Sequence, residues 1–235
     1  MWRRQKKATA EPINTAPALS LQAADQSIQI SFSNKVVNNI RQLLARIESR
    51  TDLSPKVGVF SALREEGVSY ITQALGTVIA NHLGVDVCLV DLNWWNTAYP
   101  SEQGISDVIS GRQDLDDILV STNYPNLSFV PAGELSIAQR PVVARSEALK
   151  NVLVELEERF DYLILDIPAI LSSSDAVPLA TLADMNCFVI HQGATASSNV
   201  RLALDEVRHL PLLGVIMNQS ETYTPPTLLN LLPIE

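Results

Sequence analysis

The sequence predicts an α/β fold, a doubly wound and mainly parallel sheet with helices on both faces. Three observations predict it. Six short, continuous apolar runs punctuate the chain, and such runs suit strands buried on both faces of a parallel sheet. Helix-period stripes lie between most of them. The alternation of the two patterns is that of a wound α/β sheet. At 235 residues, 46% of them hydrophobic, the chain is long enough to bury a substantial core.

Taken in order, residues 1–30 are rich in Ala, Gln, Thr, Ser and Pro without a sustained period, and read as a disordered or extended arm. Residues 31–220 read as the folded domain and 221–235 as a C-terminal tail. From Asn34 a helical face carries Val36, Val37, Ile40, Leu43, Leu44 and Ile47, with Pro55 beyond its end. The six strand candidates are Val57–Phe60, Val85–Val90, Leu127–Val130, Tyr162–Leu165, Cys187–Ile190 and Leu213–Met217. Ile71, Leu75, Val78, Ile79 and His82 form one helical stripe, with Gly84 as its C-cap. Leu149, Val152, Leu153 and Leu156 form a second, and Leu202, Leu204, Val207 and Leu210 a third.

Composition narrows the function. The net charge is −9, and four of the 17 basic residues sit at Arg3, Arg4, Lys6 and Lys7. The remaining acidic body argues against a nucleic-acid groove, which needs clustered Lys and Arg. Cys88 and Cys187 lie within apolar runs and read as buried hydrophobes. Neither has a neighbour at metal-ligand spacing, so no zinc site is expected. No apolar run reaches the roughly 18–20 residues of a membrane span, and the start lacks the apolar stretch of a signal peptide. A cytoplasmic protein is expected; its basic start reads as a solvated tail, with a weak contact with anionic lipid at the inner face of the cell membrane as the alternative.

In such sheets ligands bind beyond the carboxyl ends of the strands. After the first candidate strand of the domain comes Ser61-Ala-Leu-Arg-Glu-Glu-Gly-Val-Ser-Tyr70, opening into a helix. A phosphate-binding loop belongs there, with glycines that turn backbone N–H groups on phosphate, a Lys and a Mg²⁺-binding Ser or Thr. Gly67 and Ser69 fit that chemistry. Val68 stands where the Lys should be and Glu65 where the first Gly should be. Asp91 and Asp166 follow apolar strands and have two readings: they hold Mg²⁺ with Ser69, or they cap loops and helix starts. Trp94, Trp95 and Tyr99 cluster after the second strand and suggest a partner-binding patch.

These residues bring the resemblance into view. Residues 31–220 resemble the bacterial tyrosine kinase domains of capsule and exopolysaccharide systems, within the deviant P-loop group that includes the MinD and ParA ATPases. Val57–Leu75 is similar to the Walker A strand, loop and helix. Cys88-Leu-Val-Asp91 is similar to the strand ending in the Walker A′ aspartate. Gly104-Ile-Ser-Asp-Val-Ile-Ser-Gly111, Phe129-Val-Pro-Ala-Gly133 and Ser174-Asp175-Ala176 resemble further family stretches. Asp161-Tyr-Leu-Ile-Leu-Asp166 resembles the Walker B region. Gly214-Val-Ile-Met-Asn218 resembles the strand whose Asn reads adenine. The resemblance implies a vestigial nucleotide site at Gly67, Ser69 and Asn218.

The chain departs from the family where the chemistry lies. Val68 replaces the Walker A Lys, and Asn93 the second Walker A′ acid. Trp95 and Asn96 replace the arginines that follow it. Ser31, Asn34 and Val37 stand in place of the oligomerisation motif. The tail holds one tyrosine, Tyr223, where the kinases carry a cluster. The expectation is therefore a pseudokinase with no catalytic residues and no cofactor, regulating or scaffolding exopolysaccharide or capsule synthesis or export. Its expected partner is the cytoplasmic tail of a membrane chain-length or export protein. Two alternatives are an active kinase or ATPase using ATP and Mg²⁺ with Arg64 as a displaced cation, and a positioning ATPase of the MinD or ParA kind.

Overall fold

Five of the six apolar runs form the interior of one sheet, and the sixth, Leu213–Met217, forms an edge that is exposed at Val215 and Met217 and not buried on both faces as expected. The computed structural model describes residues 19–26, 28–48 and 55–219. Its strands are β1 Leu19–Gln22, β2 Gln29–Phe32, β3 Lys56–Ser61, β4 Val87–Asp91, β5 Val120–Ser121, β6 Leu127–Val130, β7 Tyr162–Asp166, β8 Met185–His191 and β9 Leu212–Asn218. Its helices are α1 Asn34–Glu48, α2 Val68–Leu83, α3 Ile105–Ile109, α4 Leu115–Ile118, α5 Arg140–Val143, α6 Glu147–Glu157, α7 Ala176–Ala180 and α8 Ser197–Glu206. A seven-stranded sheet runs β5-β6-β4-β7-β3-β8-β9. Every pair in it is parallel except β5 with β6. All six expected runs are strands. The short edge strand β5 was not expected, because two residues carry no period.

The sheet separates two apolar layers. Phe60, Val90, Leu153, Leu165 and Phe188 belong to one, with Phe60 and Phe188 in edge contact at 5.6 Å. Val59, Leu75, Ile79, Leu89 and Ile164 belong to the other. α2 buries the expected Ile71, Leu75, Val78 and Ile79. It ends at Gly84, whose φ of 69° lets its N–H bond the Ala80 carbonyl. α6 buries all four residues of its stripe, and the Ser146 hydroxyl accepts the Leu149 N–H at 3.1 Å.

Two expectations need correction. Leu202 is 56% exposed, and the buried positions on and beyond α8 are Ala203 and Val207. The face that meets the sheet runs through a small residue, which an apolar count passes over. Residues 19–30 are also no free arm. β1 and β2 pair antiparallel, from Leu19 opposite Phe32 to Gln22 opposite Gln29. Leu21, Ala23, Ile28 and Phe32 are buried, and Phe32 packs edge-on to Tyr70 of α2. The hairpin also joins the sheet edge, where Asn123 donates to Ser20 O and accepts from Gln22 N. Too few apolar residues in a polar stretch hid this hairpin, although four of them are buried. Residues 1–18, with the basic start, and the tail 221–235 lie outside the described residues. Among the described residues no helix is long and apolar enough to cross a membrane.

Candidate functional site

The loop after β3 and the N-terminus of α2 form the floor of a cleft of about 170 Å³. The loop's shape follows from two left-handed residues. Gly67 has φ 89°, and a Cβ there would meet the Asn218 Nδ2 at 2.1 Å. Glu65 has φ 65°, a region that disfavours side chains other than Asn, Asp or Gly. Glu66 is buried and turned into the loop. Its Oε2 accepts the Leu63 N–H at 3.1 Å, and its Oε1 accepts the Thr195 hydroxyl. Its carbonyl accepts from Asn218 Nδ2 at 2.9 Å. The carboxylate of Glu66 thus braces the loop from inside. Val68 is 8% exposed, an apolar side chain packed at the first position of α2.

Three of the expected ligand residues do converge. Parallel pairing places Asp91 opposite Asp166 on β4 and β7, and both are buried. Asp91 accepts backbone N–H groups from Asn93 at 2.9 Å and Ala98 at 2.7 Å. Burial nevertheless pushes its carboxyl up to about 7, against those bonds. Asp166 is raised well above the ordinary carboxylate range, first by burial and then by the Asp91 charge. Neither of its carboxylate oxygens makes a hydrogen bond of full geometry. The Ser69 hydroxyl is close enough to favour its charged form in part. A buried pair of hard oxygen donors beside a hydroxyl suits a small divalent cation such as Mg²⁺. Ser69, Asp91 and Asp166 would hold it and relieve the repulsion between the carboxylates. Among the described residues no cluster of three or more His, Cys, Asp or Glu is placed to bind a metal. Val68 does not fit a nucleotide phosphate, having neither donor nor charge.

The aromatic group divides. Trp94 is 5% exposed and donates from Nε1 to Ala132 O at 2.9 Å. Tyr99 is 4% exposed, stacks on Phe129 at 5.2 Å and donates to Asp25 of the hairpin turn. Both are core residues and form no surface patch. Each loop aromatic has apolar neighbours to bury against and a partner for its polar atom. Trp95 alone lines the cleft, half-buried, under the guanidiniums of Arg64 and Arg140. Its Nε1 donates to Asp175 Oδ1 at 3.3 Å. Arg140, Thr195 and the bond to Asp175 were not legible in the sequence. Asp175 stood in a quoted family stretch, but nothing local tied Arg140 to a loop 45 positions earlier.

A strand, a glycine-containing turn and a helix at the sheet's carboxyl edge, with strand-end carboxylates beside them, are the arrangement of a P-loop NTPase-type fold. Residues 61–221 match the family described as cellulose biosynthesis protein BcsQ, and the chain belongs to that family. It is 29% identical over 175 residues to the tyrosine-protein kinase CpsD of Streptococcus agalactiae, covering 70% of this chain and 75% of that one. It is 28% identical over 190 residues to the succinoglycan biosynthesis transport protein ExoP of Rhizobium meliloti. That match takes in 77% of this chain but 23% of ExoP. The kinase domain of Escherichia coli tyrosine kinase ETK superposes with a TM-score of 0.69 at 16% identity, over 80% of this chain and 79% of that one. The relation to bacterial tyrosine kinases and exopolysaccharide biosynthesis proteins is therefore established, and so is the shared fold.

Proposed function

We propose that this chain is a pseudokinase, a kinase-like subunit without phosphoryl transfer, which regulates or scaffolds bacterial exopolysaccharide synthesis or export. The observation that carries the reading is Val68, buried at the start of α2 where a phosphate-binding Lys would stand. Cation stabilisation of a transferring phosphoryl group is worth about 10³-fold or more in rate, and an isopropyl group supplies none. Glu66, spent on bracing the loop, and Glu65 beside it supply no cation either. The printed names of CpsD and ExoP support the polysaccharide setting. On this reading the partner is the cytoplasmic tail of a membrane chain-length or export protein, and the chain works in the cytoplasm at the inner face of the membrane. The test is purified protein assayed for ATP hydrolysis and autophosphorylation with Mg²⁺, with and without a candidate tail. No turnover above background is expected. A kinase-like rate abolished by Ser69→Ala or Asp166→Asn would overturn the reading.

A further inference from the structure

The edge strand β9 leads out of the described fold beside an apolar groove. Among the described residues β9 pairs with β8 alone. Its last residues and the first turns of α1 and α2 line a groove of about 510 Å³. Val36 and Ile40 of α1, Tyr70 and Ile71 of α2, and Ile216 and Met217 of β9 supply its apolar wall. Val36, Tyr70 and Ile216 are partly buried against the layer that holds Val59 and Leu75. The groove is therefore a part of that layer left open. Met217 at its rim is 50% exposed. Apolar surface of this kind is stabilised by a cover.

The sequence that follows β9 matches the groove in place, chemistry and charge. Gln219 lines the groove itself, and residues 220–235 come directly after it. Leu228, Leu229, Leu231 and Leu232 are spaced as one side of a helical turn. The stretch carries Glu221 and Glu235 and no Lys, Arg or His. Lys35 is the one charged residue lining the groove among the described residues. Residues 220–227 separate Gln219 from the leucines and can span at most about 30 Å. So short a tether keeps the leucines at high effective concentration beside the groove.

We propose that residues 228–232 dock in this groove on the same molecule, their leucine face against Val36, Tyr70 and Ile216. The apolar face of a short segment laid in a groove is a common recognition mode. The docked segment shields the end of a sheet whose free edge and exposed apolar side chains invite a foreign strand. This goes beyond the non-catalytic reading and is independent of it, because it uses neither Val68 nor the Asp91–Asp166 pair.

Hydrogen exchange of the full chain, read by mass spectrometry, tests the docking. Amides of residues 228–232 should exchange about tenfold or more slowly than those of a free peptide of the same sequence. Leu231→Ser combined with Leu232→Ser should return them to the free rate. Val36→Glu and Met217→Glu should each do so from the groove side. Val154→Glu, on the exposed face of α6, should leave them unchanged. Amides of β3 and β4 should stay protected in every variant, which separates undocking from unfolding. Cross-linking then fixes the place. Asn39→Cys with Leu231→Cys should form a disulfide within one chain under mild oxidation, and Val154→Cys with Leu231→Cys should not. The native Cys88 and Cys187 are buried. The proposal is overturned if residues 228–232 exchange at the free rate in the wild type. It is also overturned if they are protected but insensitive to both groove variants. Protection and cross-linking that appear only as the chain dimerises would overturn it too, and assign the groove to a second copy.

Discussion

Asp91 and Asp166 face each other across two parallel strands, both buried, and Asp166 has no full hydrogen bond to its carboxylate oxygens. Their proximity is a property of strand register. β4 and β7 are far apart in sequence, and each ends its apolar run on an acid. Aligned ends bring the two carboxyls together at the head of the cleft.

That pair should make stability depend on pH. Both carboxyls are raised in the folded chain, Asp91 to about 7. The folded state therefore holds protons that the unfolded state has released above roughly pH 4. The contribution is fully present below that value and is lost as pH rises towards 7. Asp166→Asn should remove much of the loss and stabilise the protein at pH 8 by about 1–3 kcal/mol. Thermal melts of both proteins from pH 4 to 8 check this, through the difference between the two curves. Millimolar Mg²⁺ should raise the wild-type melting temperature at pH 8 and have less effect on the variant. A variant that melts lower than wild type at pH 8 would contradict the account.

The loop should need two changes to recover nucleotide. Glu65 sits at φ 65°, so Glu65→Gly relieves backbone strain as well as removing a charge. It should be neutral or stabilising by up to about 1 kcal/mol. Val68→Lys alone should add little ATP affinity, because Glu65 still faces the phosphates. The double variant should bind ATP–Mg²⁺ more tightly than the sum of the single changes, measured by calorimetry as a double-mutant cycle. Full recovery by Val68→Lys alone would contradict this.

Glu66 should behave as a structural residue. Glu66→Ala leaves the Leu63 N–H and the Thr195 hydroxyl without their partner. A loss of about 1–3 kcal/mol in chemical denaturation is expected. Thr195→Val should lose part of it, and the two losses should not add.

The N-terminal hairpin should prove to be part of the core. Phe32 is fully buried against Tyr70. Phe32→Ala should cost about 3–5 kcal/mol. Removing the hydroxyl with Tyr99→Phe should cost about 1 kcal/mol through the lost bond to Asp25. Urea denaturation of the two variants separates these effects. A Phe32→Ala protein as stable as wild type would restore the reading of a loose arm.

The sequence by itself determined the strands and most of the helices, because their signals are local. Val57–Phe60 or Tyr162–Leu165 is apolar at every position, and Leu149, Val152, Leu153 and Leu156 repeat at helical spacing. Val68 in place of a Lys was legible for the same reason, since a loop motif is read within a few residues. Tertiary structure decided what lies far apart along the chain. It set Asp91 beside Asp166, buried Trp94 and Tyr99 and left Trp95 in the cleft, and brought Arg140 onto that ring. It also packed the β1–β2 hairpin against α2. Periodicity tells which face of an element is apolar, but not which distant surface a loop side chain will meet. Burial of a loop aromatic depends on apolar neighbours and a hydrogen-bond partner that only the closed fold supplies.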